Sequence, residues 1–263
     1  MNRSEYIHRT AIVEEGAKVG SSVKVGPFCY VGSNVVLKPG VILKNNVTVV
    51  GDTIVGDETT VFPFATVGEI PQDLKFSGEE TRLVIGKRNQ IREGVTINTG
   101  TSGGGGVTVV GNDCLLMTGS HVAHDAQIGN NVIMANQSAV AGHCVIEDNV
   151  IIGGLSGVHQ FVRIGRGAII GAVTMVTNDV IPYGLVQASR GELEGLNYVG
   201  LKRAGVSRED ILALRASYQI LKQGDGTFHD RAKKLLKETN SAYVKEVADF
   251  ILDNTNRSFL VPG

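Results

Sequence analysis

The sequence predicts a mainly β protein: a parallel β-helix of hexapeptide repeats followed by a C-terminal α-helical domain. Three observations carry this. Aliphatic residues recur every six positions, a small or β-branched residue sits four places after each, and beyond Pro182 that period gives way to helix-start signals. A period of six is neither helical nor that of a simple strand; it suits a short strand and a turn, with one side chain pointing inward.

The first run is Ile7, Val13, Val19, Val25, Val31, Leu37, Leu43, Val49, Val55, Val61 and Val67. It resumes at Ile85, Ile91 and Ile97. After a glycine-rich break it resumes one residue out of phase, from Val110 through Val122, Val140 and Val158 to Val176. Three hexads make a triangular turn of 18 residues, and the 26 hexads give nearly nine turns, a prism roughly 40 Å long. Glycine often follows the aliphatic, as in Val25-Gly26, and is expected at the corner. The repeat does not fix the hand; the general crossover rule favours a right-handed coil. Cys29, Cys114 and Cys144 all fall on the small inward position, which makes them buried filler rather than nucleophiles.

Two insertions interrupt the hexads, at about residues 69–83 and 99–106. Loops thrown from a rigid scaffold tend to carry function, although the bland reading of the second, Thr-Gly-Thr-Ser-Gly-Gly-Gly-Gly, is a flexible bulge. No helix follows it, so it is not a nucleotide fingerprint. In the tail, Ser207, Thr227 and Ser241 are placed to cap helices running to Gly224, over Phe228–Thr239 and over Ala242–Asn254. The β-helix domain is therefore placed at residues 1–190 and the helical domain at 191–263.

Composition excludes several classes. Basic and acidic residues nearly cancel, 25 against 26, which argues against a general nucleic-acid binder. With no Trp and 34 glycines, the core must rely on small aliphatics. No secretory leader and no apolar run of membrane-spanning length is visible. Three cysteines do not make a disulfide framework. A cytoplasmic location is expected.

The register gathers the histidines. Val122, Val140 and Val158 are 18 residues apart and share one edge; His124, His143 and His159 follow them by two, three and one positions, and His121 precedes the same edge. A neutral histidine there suits general-base chemistry. Asp125 offers an acidic partner, although adjacent residues in an extended segment point opposite ways, which leaves a backbone carbonyl as the alternative for orienting the ring. Three histidines also suit zinc, but their unequal offsets need not bring the rings to ligand distance.

His121-Val-Ala-His124-Asp125, Ala141-Gly142-His143, Val158-His159-Gln160-Phe161, Gln72-Asp73-Leu74-Lys75 and Leu196-Asn197…Gly200-Leu201-Lys202-Arg203 occur together over essentially the whole chain. The combination closely resembles the bacterial UDP-N-acetylglucosamine acyltransferases of lipid A biosynthesis. The resemblance implies a left-handed β-helix, a homotrimer with sites between prisms, and transfer of a 3-hydroxyacyl group from the phosphopantetheine of acyl carrier protein to the sugar 3-position. It implies no further cofactor and no metal. His124 then resembles the base, Asp125 its supporting acid and the Gly142 N–H the oxyanion donor. Gln72, Asp73 and Lys75 would reach substrate from the neighbouring subunit. His121, His143, His159 and Gln160 would line the pocket, and Asn197 and Arg203 would hold the diphosphate. Ala172 would measure acyl length, its small side chain favouring C12–C14. Basic residues of the helical domain would meet the acidic carrier.

The chain departs from the family pattern at Asn98, where a His is usual, and at Ala204, where an Arg is common. Both leave open N-acylation of a 3-amino sugar. Two other readings compete: a zinc-dependent hydratase like the hexapeptide-repeat carbonic anhydrases, and a purely structural β-helix, which leaves the clustered histidines unexplained. A later N-acyltransferase of the same pathway normally carries a domain before its hexads, which here begin at Ile7.

Overall fold

The structure is a computed structural model and describes residues 6–187, 192–253 and 258–261. The hexads become 26 strands of two to four residues, from Tyr6–Ile7 to Met175–Val176, one for each inward aliphatic. They stack in parallel on three faces. One face begins with Tyr6–Ile7, the second with Ile12–Val13 and the third with Lys18–Val19. Residues 18 apart are partners wherever the hexads run unbroken, as in Val122↔Val140 and Val140↔Val158. Across the insertions the spacing widens, to Val61↔Ile91 and Ile97↔Val122, yet the inward residues still meet.

Inside the prism the aliphatics from Val25 to Val176 are buried, each contributing about 1.5–3 kcal/mol relative to exposure. Ile7, with no coil beneath it, is 42% exposed. The residue three places after the aliphatic adopts a left-handed φ at most corners, including Asn46, Asp125, Asn131, His143 and Phe161. Such non-glycine conformations are costly alone. Here the corner N–H is satisfied by the coil below, as in His143 N–H to the His124 carbonyl at 3.0 Å and Phe161 N–H to the Gly142 carbonyl at 3.1 Å. The glycine after the aliphatic has a different cause from the one expected. Gly26 and Gly111 do not have left-handed φ. A Cβ on them would lie 2.5 Å from the Lys44 carbonyl oxygen and 2.4 Å from that of Gly129, so they are there for close approach between coils.

The prism also continues past the last hexad, within the β-helix domain expected to reach residue 190. Gly184–Gln187 pairs in parallel with Ile169–Ile170, and Glu192–Leu196 returns antiparallel beside it. The spacing hides this: the third-face position of the last coil is reduced to a single bridge, Ile164↔Val180.

Among the described residues four helices follow: α1 (Tyr198–Arg203), α2 (Arg208–Gln223), α3 (Phe228–Glu238) and α4 (Ala242–Leu252). α1 was not foreseen, since six residues containing Gly200 carry no apolar period. Ser207 and Thr227 cap α2 and α3 as expected, the latter in a reciprocal box with Asp230. Ser241 precedes α4 but does not cap it; its hydroxyl donates instead to Asp210 of α2 at 2.8 Å. The boundary placed between residues 190 and 191, and the helix end placed at Asn254, lie outside the described residues. Arg163 binds the tail to the prism, pairing with Asp179 and Asp253, while Arg166 pairs with Glu246.

The cysteines are free and buried. Desolvation raises the Cys29 thiol and pushes Cys114 up to about 11. The native protein should therefore resist a disulfide-exchange reagent at pH 8, and all three thiols should react on unfolding. Fast reaction of any native thiol would contradict this packing.

Candidate functional site

Both insertions leave the prism at the edge between the second and third faces. The first follows Thr66–Glu69 and the second follows Thr96–Asn98. In the next three coils the same edge carries His124 and Asp125, then Gly142 and His143, then His159, Gln160 and Phe161. Loops and histidines thus share one line along the axis.

His124 and Asp125 are buried, at 5% and 3% exposure. Contrary to the expectation for an extended segment, they bond directly: His124 Nδ1 lies 2.9 Å from Asp125 Oδ2. The reason is the corner. Asp125 has φ 60°, so the chain turns there and its side chain swings beside that of His124. With Nδ1 facing a carboxylate acceptor, that nitrogen is the one placed to donate, and Nε2 is the ring nitrogen left open. The Asp125 carboxylate also accepts the Thr101 N–H on Oδ1 at 2.8 Å and the Thr101 hydroxyl on Oδ2 at 2.6 Å. Its own N–H donates to the Thr108 hydroxyl oxygen at 2.8 Å. Neither Thr101 nor Thr108 carries a sequence signal: nothing in the glycine-rich run marks the carboxylate that Thr101 covers, and Thr108 lies in the strand beyond it.

Gly142 lies against the His124 ring; a Cβ there would sit 2.5 Å from Cε1. Among the described residues its N–H has no protein acceptor. His143 stands over Asp125, with Nδ1 3.6 Å from Oδ2. Its ring meets His124 edge-on and stacks flat on Phe161 with centroids 4.4 Å apart. His121 binds the Thr96 hydroxyl at 2.7 Å. His159 and Gln160 are exposed on the next coil. Asp73 and Lys75 exert minor, opposing electrostatic effects on His143 of their own chain. Gln72 and Lys75 are exposed, and Asp73 Oδ1 accepts the Lys75 N–H at 3.0 Å.

Three expected residues lie elsewhere. Asn197 is buried: Nδ2 donates to the Gly167 carbonyl and Oδ1 accepts the Gly200 N–H as the cap of α1. Gly167 belongs to the edge between the third and first faces, a different edge from that of His124. Arg203 is exposed at the end of α1. Ala172 is exposed between the first and second faces, three coils beyond His121, or roughly 14 Å along the axis. Asn98 is buried and ties down the root of the first insertion, donating to the Ile70 carbonyl at 3.0 Å.

The donor atoms of His124, Asp125 and His143 all lie within 4.8 Å of one another, so a cation-holding geometry does form, with Asp125 rather than His159 as third member. Both Asp125 oxygens already accept hydrogen bonds, however, and the His124 Nδ1 is committed to one of them.

Burial is the main cause that lowers the pKa of His121, and likewise of His143, where Asp125 pulls the other way. A folded-state histidine with a depressed pKa binds fewer protons than the unfolded one. Its stabilising effect is complete above the unfolded value near ~6.5 and is lost as pH falls below it. The melting temperature should therefore decline as pH falls below about 6.5, and His121→Gln should flatten that decline. An unchanged slope would contradict the assignment.

Comparison with known proteins follows the same outline. A family model for a UDP N-acetylglucosamine O-acyltransferase second domain matches residues 179–260. A bacterial transferase hexapeptide model of six repeats matches 107–142. An acyl-[acyl-carrier-protein]–UDP-N-acetylglucosamine O-acyltransferase of Paracoccus denitrificans is 62% identical over 202 residues, 77% of each chain. One from Rhizobium rhizogenes is 47% identical over 262 residues, 99% of this chain and 97% of the other. A crystal structure of a UDP-N-acetylglucosamine acyltransferase superposes with TM-score 0.94 at 42% identity, covering 98% of this chain and 99% of that one. The Campylobacter jejuni acyltransferase gives 0.92 at 36%, covering 98% and 100%. The fold is the left-handed parallel β-helix, not the right-handed coil of the general rule. The chain is an acyltransferase and belongs to the UDP-N-acetylglucosamine acyltransferase family.

Proposed function

We propose that this chain transfers a 3-hydroxyacyl group from acyl carrier protein to the 3-hydroxyl of UDP-N-acetylglucosamine, opening lipid A synthesis in the cytoplasm. The observation that carries the reading is the buried His124–Asp125 pair beside the free Gly142 N–H. The relatives named above are O-acyltransferases, which favours oxygen over nitrogen as acceptor atom.

His124 Nε2 takes the proton of the sugar hydroxyl as its oxygen attacks the thioester carbonyl. The resulting oxyanion takes the Gly142 N–H. The carbon–sulfur bond then breaks, and the departing thiolate receives the proton back from the imidazolium. Asp125 holds the ring with Nδ1–H inward and balances its transient charge. His121, His143, His159 and Gln160 line the approach. Lys75 supplies a cation at the loop, and Asp73 faces it across the same turn. Ala172, on its open corner beyond the site, suits a C12–C14 chain.

A homotrimer fits this reading. Asn197 and Arg203 belong to a part of the chain set against another edge, so they and His124 meet one substrate only across a subunit boundary. Phe28, Phe64, Leu155 and Val173 stand exposed on the edge between the first and second faces, an apolar strip that a neighbouring prism would cover. The exposed basic residues of α3 suit the acidic carrier protein.

His124→Ala should lower turnover by about 10²- to 10⁴-fold in a protein that remains folded. The measurement is mass-spectrometric, offering UDP-N-acetylglucosamine and its 3-amino analogue with carriers of graded acyl length. Retained activity in the variant would remove the base assignment; preference for the amine would redirect the reading to N-acylation, and a sharp optimum at C10 would refute the length assignment.

A further inference from the structure

The glycine-rich insertion is unlike the flexible bulge its composition suggests. Thr99, Thr101 and Thr108, at its roots and start, are buried. The Thr101 carbonyl accepts the N–H groups of Gly104 and Gly106 at 3.1 and 2.8 Å, closing the loop on itself. A short 3-10 turn, Ser102–Gly104, forms its tip.

Its glycines have separable causes. Gly105 and Gly106 have left-handed φ, as the chain reversal requires. Gly103 faces open space. Gly104 has neither excuse: its φ is ordinary, but a Cβ would lie 2.1 Å from Asp125 Cγ. The carboxylate fills the space an alanine methyl would need. On the same carboxylate, the Thr101 N–H takes one oxygen and its hydroxyl takes the oxygen that faces His124. Two donors from one residue fix the rotation of the carboxylate plane.

The loop is itself held from outside. Glu79, in the first insertion, accepts the Ser102 N–H and hydroxyl on Oε1, each at 3.2 Å, and the Ser77 N–H and hydroxyl on Oε2. Backbone N–H groups, those of Ser77 first, lower its carboxyl to about 2, so it stays an acceptor throughout the working range. Thr81 donates to Thr99 at 3.0 Å as a second cross-link.

We infer that the Gly100–Gly106 loop is a clamp that sets the Asp125 carboxylate against His124, with Thr101 and Gly104 as positioning residues and Glu79 as the tether to the first insertion. This rests on the His124–Asp125 reading above. By this route the insertion that carries Asp73 and Lys75 is mechanically joined to the catalytic pair.

The test compares Gly104→Ala with Gly103→Ala, two chemically identical changes one residue apart. Gly104→Ala should lower kcat about 10- to 100-fold, the scale of an ångström-level misplacement, with KM nearly unchanged; Gly103→Ala should match the parent. Combined with Asp125→Ala, which empties the contested space, Gly104→Ala should cause no further loss. Thr101→Val should reduce kcat and Thr101→Ser restore it, at unchanged melting temperature. An active His124→Ala overturns the reading beneath the clamp. An inactive His124→Ala with Gly104→Ala equal to Gly103→Ala overturns the clamp alone, as does a Gly104→Ala loss that persists undiminished without the Asp125 carboxylate.

Discussion

The structure depends on hydrogen bonding between successive coils. Each two-residue strand is far too short to be stable alone. It persists because its N–H groups donate to the coil that follows, as His121 N–H does to Ser138 and Ala123 N–H to Val140. That demand forces residues 18 apart into register and leaves an interior about one aliphatic side chain wide per face. It also decides what can vary. An insertion is tolerated only where the chain leaves at a corner and returns to the same register, which both insertions do.

Much of this was legible because the constraint writes itself into the sequence as a period. The inward aliphatics, the buried cysteines and the gathering of His124, His143 and His159 on one edge all follow from counting. What was not legible has particular causes. The hand does not follow from the repeat: the crossover rule rests on strand twist, of which two-residue strands accumulate almost none, and the left hand was implied only by the family resemblance. The strand Gly184–Gln187 was missed because one hexad before it is irregular. Helix α1 is too short to show a period. The grip of Thr101 on Asp125 joins residues 24 apart through a loop whose composition is nearly blank.

Asn197 serves the fold as well as carrying the motif: its amide donates to the Gly167 carbonyl and accepts the Gly200 N–H, and each end keeps one further hydrogen-bonding position. The neighbouring Arg203 is exposed and outside every described ion pair.

The site also uses a property of the corner itself. In a strand, adjacent side chains diverge, and a His-Asp dipeptide cannot form its own hydrogen-bonded pair. In this coil the residue three places past the aliphatic turns through a left-handed φ at most corners, a conformation that aspartate tolerates better than most residues. The turn needed to close the prism is thus the turn that brings Asp125 beside His124. The next coil places His143 over Asp125 and Gly142 over His124 without any further specification, because the register already demands it. Only the outer side of Asp125 is left unsupported by the repeat, and that is the side the glycine-rich loop covers.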